Sequence, residues 1–259
     1  MPTTIQLSTA QGVARVALAR PDVRNAFNAE LIAELTQAFD AISSDPHVRV
    51  VILTGEGKSF CGGADVNWMR GALELSYDEN LADAERMSDM FRAIDRCPKP
   101  VIGRIFGAAL GGGAGLTAAC DVAIAAADTV FGFTEVKLGI VPAVISPFVL
   151  AKIGVSHARA LFLTGERFDA GRARAIGLVH ETPAAADLDA AVDRIVAELR
   201  SAGPHAVSVA KAMIPQVAAA GEYDARTITT STIAKQRVSE EGQEGLRAFL
   251  ERRAASFSE

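Results

Sequence analysis

Cysteine is scarce: Cys61, Cys97 and Cys120 are the only three in 259 residues. They form neither an even set nor a zinc-like spacing, which argues against a disulfide scaffold and a metal centre. Cys61 adjoins the pair Gly62-Gly63, so a nucleophilic role has to be weighed. No His or Asn accompanies it in a familiar arrangement, and it reads as a small apolar filler. Blocks of like charge are missing too, and with a net charge of -5 the chain offers nucleic acid no electrostatic handle. No apolar run is long enough for a bilayer, and MPTTIQLST lacks a basic stretch followed by an apolar one. The expectation is a cytoplasmic protein with no membrane partner. A G-x-G-x-x-G at the first strand-to-helix turn is absent as well, which disfavours a nucleotide-binding doubly wound sheet.

What is present is apolar enough to bury a large core, with 49% hydrophobic and 22% charged residues, as one compact unit plus an appendage. Ile5 to Leu7 and Val13 to Leu18 flank Gly12 and alternate as a hairpin would. From Asn28, the apolar positions Leu31, Leu35, Phe39 and Ile42 fall at helical spacing until Ser43-Ser44-Asp45-Pro46 stops them. Val48 to Leu53 reads as a buried strand. Strands and a helix alternate again in Val101 to Phe106, a glycine-rich helix, Val122 to Ile124 and Val130 to Phe133, so that the order strand, strand, helix, strand is taken up a second time as an α/β pattern. The polar segment Gly71 to Asp95 reads either as a loop covering a site or as a solvated helix face. Beyond Pro183 only helical patterns remain: Leu188 to Leu199, Pro204 to Val217 with Pro215 ending or bending it, and Glu222 to Arg253. Residues 1–183 are therefore expected to form the core and 184–259 a helical layer.

The rest of the chain is organised around GRIFGAALGGGAGLTAACDVAIAAADTVFGFTEVKLGIVPAVIS, residues 103–146. Gly111, Gly112 and Gly113 ahead of a helix let the backbone approach a ligand and leave free N–H groups at the helix's positive end. Such a place suits a developing oxyanion. Taken singly, these glycines and Gly62-Gly63 also fit tight turns or close packing. Glu135 sits among Phe131, Phe133, Val136 and Leu138. Desolvation there would raise its pKa towards neutrality, where a carboxyl can move protons; a surface carboxylate beside Lys137 is the plainer reading.

GAALGGGAGLTAACD followed by FGFTEVKLG and a proline resembles the crotonase (enoyl-CoA hydratase/isomerase) superfamily. RPDVRNAFN, LTGEGKSFCGGADV, LTGERFDAGRARAIGLV and EGLRAFLERR extend the resemblance in the same order over nearly the whole chain. It implies a mixed α/β (α+β) fold, a spiral of ββα units with a C-terminal helical subdomain that joins subunits into homotrimers or hexamers. It also implies an acyl-CoA substrate, with coenzyme A arriving as part of that substrate and no separate cofactor. The backbone N–H groups of Ala64 and Gly112 would stabilise a thioester enolate, and Glu135 would transfer the proton. Arg24 and Gly62 are the implied CoA contacts, and Phe249 and Arg252 match a pair that reaches a neighbouring subunit's CoA. An amphipathic helix end would also explain that last pair. Trp68, Met69 and Ser146 are candidates for the acyl pocket, and Asp121 reads as a structural hydrogen-bonding group.

The chain departs from the resemblance at two places. Asn67 stands where a cation is common, and Gly115 stands where hydratases carry a second glutamate. Hydration normally uses two carboxylates on one water, whereas isomerases of the superfamily work with the Glu135-type group alone. EVKLGIVPAVISPF looks like the bacterial branch of methylglutaconyl-CoA hydratases, whose substrate carries a carboxylate of its own. The expected function is thus an enoyl-CoA hydratase, with a branched or carboxylated chain such as 3-methylglutaconyl-CoA among its candidate substrates. Double-bond isomerisation and non-catalytic acyl-CoA binding are the alternatives.

Overall fold

A computed structural model describes residues 3–258; the outermost residues of the expected ranges 1–183 and 184–259 lie outside it. β1 (Ile5–Ala10) and β2 (Val13–Leu18) form an antiparallel hairpin with Ile5 opposite Leu18. Gln11 and Gly12 turn the chain at φ 49 and 75, the positive angles that match a two-residue turn to strand twist. α1 (Ala29–Ser44) begins where the Asn28 side chain accepts the Leu31 N–H, and its apolar stripe from Leu31 to Ile42 is buried. β3 (Val50–Gly55) then lies parallel to β2.

α2 (Val66–Ala72) and α3 (Tyr77–Asp95) precede β4 (Val101–Ile105) and β5 (Ala108–Leu110), after which come α4 (Gly112–Ala119), β6 (Val122–Ala125) and β7 (Val130–Gly132). α5 (Ser146–Thr164), β8 (Arg167–Asp169) and α6 (Ala170–Ala175) close this part. The five-stranded sheet has the order β1-β2-β3-β4-β6, and β5-β7-β8 form a second, smaller one. The expected ββα order is present as β1-β2-α1 and again as β4-β5-α4.

β3 is buried throughout because its two faces meet different partners. Val51 and Leu53 join the main core with α1, α3 and α4, while Val50 and Ile52 face the other side, the two-residue period of a strand. That second side is covered by α7 (Leu188–Ser201), whose Leu188 and Val192 pack on Val50, Ile52, Ile102 and Ile124. α7 thus belongs with the core, and residue 183 marks no break in packing. The outer helical layer comprises α8 (Pro204–Ala219), α9 (Glu222–Val238) and α10 (Glu240–Glu251). Lys211 of α8 ties it to the core through Asp121, Nζ to Oδ2 at 2.6 Å, and Asp121 also accepts the Val101 N–H at 2.7 Å.

Of the two readings of Gly71 to Asp95, the helical one holds over Tyr77–Asp95, where Ser76 and Glu79 form a reciprocal capping box. Two other local expectations are corrected. Pro215 lies inside α8 and does not end it. The span expected from Glu222 to Arg253 is two helices, broken at Ser239, which is extended and caps α10 by accepting the Gly242 N–H at 3.0 Å. Among the described residues no helix is long and apolar enough to cross a membrane.

Candidate active site

α4 starts on Gly111 at φ 51 and ψ −119, a conformation closed to residues with a Cβ. Two residues on, a Cβ at Gly113 would sit 2.5 Å from the Cys61 carbonyl oxygen. Glycine is what lets the segment around Cys61 run beside β5, with the Cys61 N–H donating to Ala108 and the Leu110 N–H to Cys61, both at 3.0 Å. This pairing brings the two glycine-rich stretches together. Cys61 itself is fully buried, and desolvation pushes its thiol up to about 12, which leaves no thiolate for nucleophilic work.

Ala64 is clamped from both sides. The Phe27 N–H donates to Gly63 at 2.7 Å and the Asp65 N–H to Phe27 at 2.9 Å, a parallel bridge centred on Ala64. Asp65 caps α2 by accepting from Asn67 and Trp68 and pairs with Arg20 at 2.9 Å. Burial works to raise its pKa, but the Asn67 N–H and the Arg20 guanidinium outweigh it and hold the carboxylate below its usual range. Asn25, fully buried, donates to Glu56 and Ser59 and fixes the preceding turn. RPDVRN is therefore largely the scaffold that aims Ala64. The Ala64 N–H and the Gly112 N–H, the latter in the first turn of α4, have no acceptor among the described residues.

Glu135 opens a single 3-10 turn, Glu135–Leu138, just after β7. Its Oε1 lies 3.3 Å from where a Gly111 Cβ would be, beside the glycine segments. Its Oε2 is buried with no hydrogen-bond partner among the described residues. Burial raises the carboxyl pKa, opposed only by its own backbone N–H. A carboxyl so placed holds its proton more readily than an exposed one, which suits it to carry a proton to or from a substrate carbon.

These groups line one cavity of about 480 Å³. Phe27, Gly62 and Gly63, Trp68 and Met69 of α2, and residues 140–145 contribute to its lining. α3 contributes Asn80, Asp83, Ala84 and Met87, a single helical face. Glu135 and Asp83 are the only ionisable lining residues among those described. Asp83 Oδ1 accepts from Arg86 at 2.9 Å.

Of the residues singled out from sequence, Ala64, Gly112, Glu135, Gly62, Trp68 and Met69 line this cavity. Arg24 is exposed and leans along Gly62, whose N–H donates to the Arg24 carbonyl at 2.8 Å. Ser146 stays outside the lining, its hydroxyl donating to Ala143 at 2.7 Å. Phe249 and Arg252 also lie outside it, at the exposed end of α10. The sequence reading missed Phe27, Asp83 and Ile145. For α3 a signal existed in the S-x-x-E of Ser76 and Glu79; Phe27 and Ile145 enter only through tertiary packing.

A family model described as enoyl-CoA hydratase/isomerase matches residues 8–259. The chain belongs to that family. It is 34% identical to a putative enoyl-CoA hydratase of Thermus thermophilus over 95% of this chain and 97% of that one. It is likewise 34% identical to the crotonyl-CoA hydratase of Syntrophomonas wolfei, covering 92% and 91%. The crystal structure of an enoyl-CoA hydratase from Shewanella pealeana superposes with a TM-score of 0.95 at 37% identity, covering 98% of this chain and 96% of that one. The protein is thus an enzyme of the crotonase superfamily with that superfamily's mixed α/β fold.

Proposed function

We propose that this crotonase homologue is an enoyl-CoA hydratase-type lyase that works through a thioester enolate, with Ala64 and Gly112 as the oxyanion hole and Glu135 as the proton carrier. The observation that carries the reading is two free backbone N–H groups beside a half-buried carboxyl whose Oε2 has no partner. As water adds to the β-carbon, the double-bond electrons move to the thioester oxygen. The two N–H groups meet that charge without reorganising, an effect of ~3 to 4 kcal/mol per donor. Protonated Glu135 then delivers its proton to the α-carbon. A binding protein without turnover would gain nothing from a carboxyl kept in so unfavourable a setting.

The finer reading is a branched or carboxylated enoyl chain such as 3-methylglutaconyl-CoA. Its support is EVKLGIVPAVISPF together with Gly115, since the substrate's own carboxylate would take the water proton that a second glutamate takes elsewhere. Δ3,Δ2-isomerisation is the second reading. It is favoured by the single carboxylate near the glycine segments, because moving a double bond requires only that Glu135 take a proton from one carbon and return it to another. In this scheme Arg24 and Gly62 meet the CoA, Phe249 and Arg252 serve a neighbouring subunit in a trimer or hexamer, and no resident cofactor takes part. We place the reaction in the cytoplasm.

Product analysis of straight, branched and 3-carboxymethyl 2-enoyl-CoAs and of a 3-enoyl-CoA tests these readings. Gain of one water is expected, most rapidly with the carboxylated chain. A double-bond shift without hydration would replace the lyase reading with isomerisation.

A further inference from the structure

We infer that Ile145 sets the number of acid–base groups at the reaction centre by occupying the space that a side chain at position 115 of α4 would need to supply a second one. Gly111 and Gly112 line the cavity, and Gly115 is on the same helical face one turn later. A side chain at 115 is therefore placed to point toward the part of the cavity lined by Gly111 and Gly112. A Cβ built there would overlap Ile145 Cγ2 and lie 2.9 Å from Ile145 Cβ and 3.1 Å from Phe91 Cζ. Ile145 is 3% exposed, lines the cavity and precedes α5, while the Phe91 ring is fully buried. The position is thus closed by packing as well as by the identity of residue 115, and Gly115 and Ile145 function as a pair.

The inference rests on the acid–base reading of Glu135 and adds a determinant of the reaction course. With a carboxylate at 115 and room for it, one proton of the attacking water passes to that carboxylate while the oxygen bonds the β-carbon. The π electrons move to the thioester oxygen, and protonated Glu135 supplies the α-carbon proton. Without it, the water proton needs another acceptor, or only proton shuttling remains.

The first test is a melting cycle that does not depend on activity. Gly115→Ala should lower Tm by several degrees in the natural background and by much less in Ile145→Gly, the non-additivity expected of two groups in contact. Equal losses in both backgrounds would overturn the inference. The second test is catalytic. The ratio of crotonyl-CoA hydration to deuterium exchange at the α-carbon of butyryl-CoA should rise ~10-fold or more in Gly115→Glu/Ile145→Gly over either single variant. Gly115→Glu folding normally and matching the double variant would show that Ile145 does not block the position. A folded double variant with no gain in the ratio would overturn the catalytic part. A natural enzyme inert in both assays would instead sink the acid–base reading of Glu135, and the melting cycle would still decide Ile145.

Discussion

Glu135 combines burial, an unpartnered oxygen and a raised pKa, so its ionisation works against the fold while enabling proton transfer. A carboxyl whose folded pKa exceeds its unfolded value favours folding in its protonated form, and that advantage is lost as pH rises through the folded pKa. Glu135→Gln should therefore melt higher than the natural protein at pH 7, with the difference shrinking as pH falls through the raised folded pKa and gone below the ordinary value of 4.5. The same variant should lose ~10²-fold or more in α-carbon exchange, the scale of a general acid–base group. In the natural enzyme, exchange needs the carboxylate and should rise with pH through the raised pKa, whereas hydration needs the acid and should fall through it. Parallel pH limbs for the two reactions would contradict a single carrier. Asp83 is the other carboxyl lining the cavity, offset in part by Arg86 at 2.9 Å, and a carboxylated acyl chain has to be accepted near it. Replacing Asp83 by Asn should raise kcat/KM for a 3-carboxymethyl enoyl-CoA relative to crotonyl-CoA by ~3-fold or more, as expected for removing a like charge near a surface. An unchanged ratio would take Asp83 out of substrate selection.

α3 links such residues to local folding, because the face carrying Asn80, Asp83 and Met87 is in place only if the helix starts at Tyr77. Ser76 and Glu79 satisfy the first-turn N–H groups reciprocally. Ser76→Ala should cost about 1 kcal/mol, the usual value of such a cap, and raise KM more than it lowers kcat, because the wall frays while Glu135 stays put. A kcat effect alone would separate α3 from substrate binding. The elements legible in the sequence were those whose cause is local: α1 from its Asn28 cap and apolar stripe, β3 from its apolar run, and the candidate site from the glycines and Glu135 that line one cavity. β5 and β8 are three residues each, too short for any periodicity, and exist because β7 lies between them. The overlap of Ile145 with the Gly115 position joins residues from α4 and the start of α5, and no pattern in either segment announces it.

Across the whole molecule, apolar burial is unevenly distributed. The core below α7 is closed on both faces of the large sheet, yet α8 and α9 contain no buried residue and α10 only Ala248. Ile214 is 64% exposed, Val238 78%, Leu250 79% and Phe249 81%. Large apolar side chains exposed on three successive helices are what an interface looks like before its partner is added. A homotrimer or hexamer would cover them and would bring Phe249 and Arg252, which lie outside the cavity of their own subunit, to a neighbour's CoA. Light scattering at micromolar concentration should give a trimeric or hexameric mass, and a monomer would remove this account of the outer helices. Arg252→Ala then distinguishes assembly from binding. Arg252 is exposed beyond the end of α10, so its loss should leave the mass and Tm unchanged while calorimetry shows weaker CoA binding. Unaltered affinity in an intact oligomer would confine Arg252 to the helix end and shift the phosphate contacts towards Arg24.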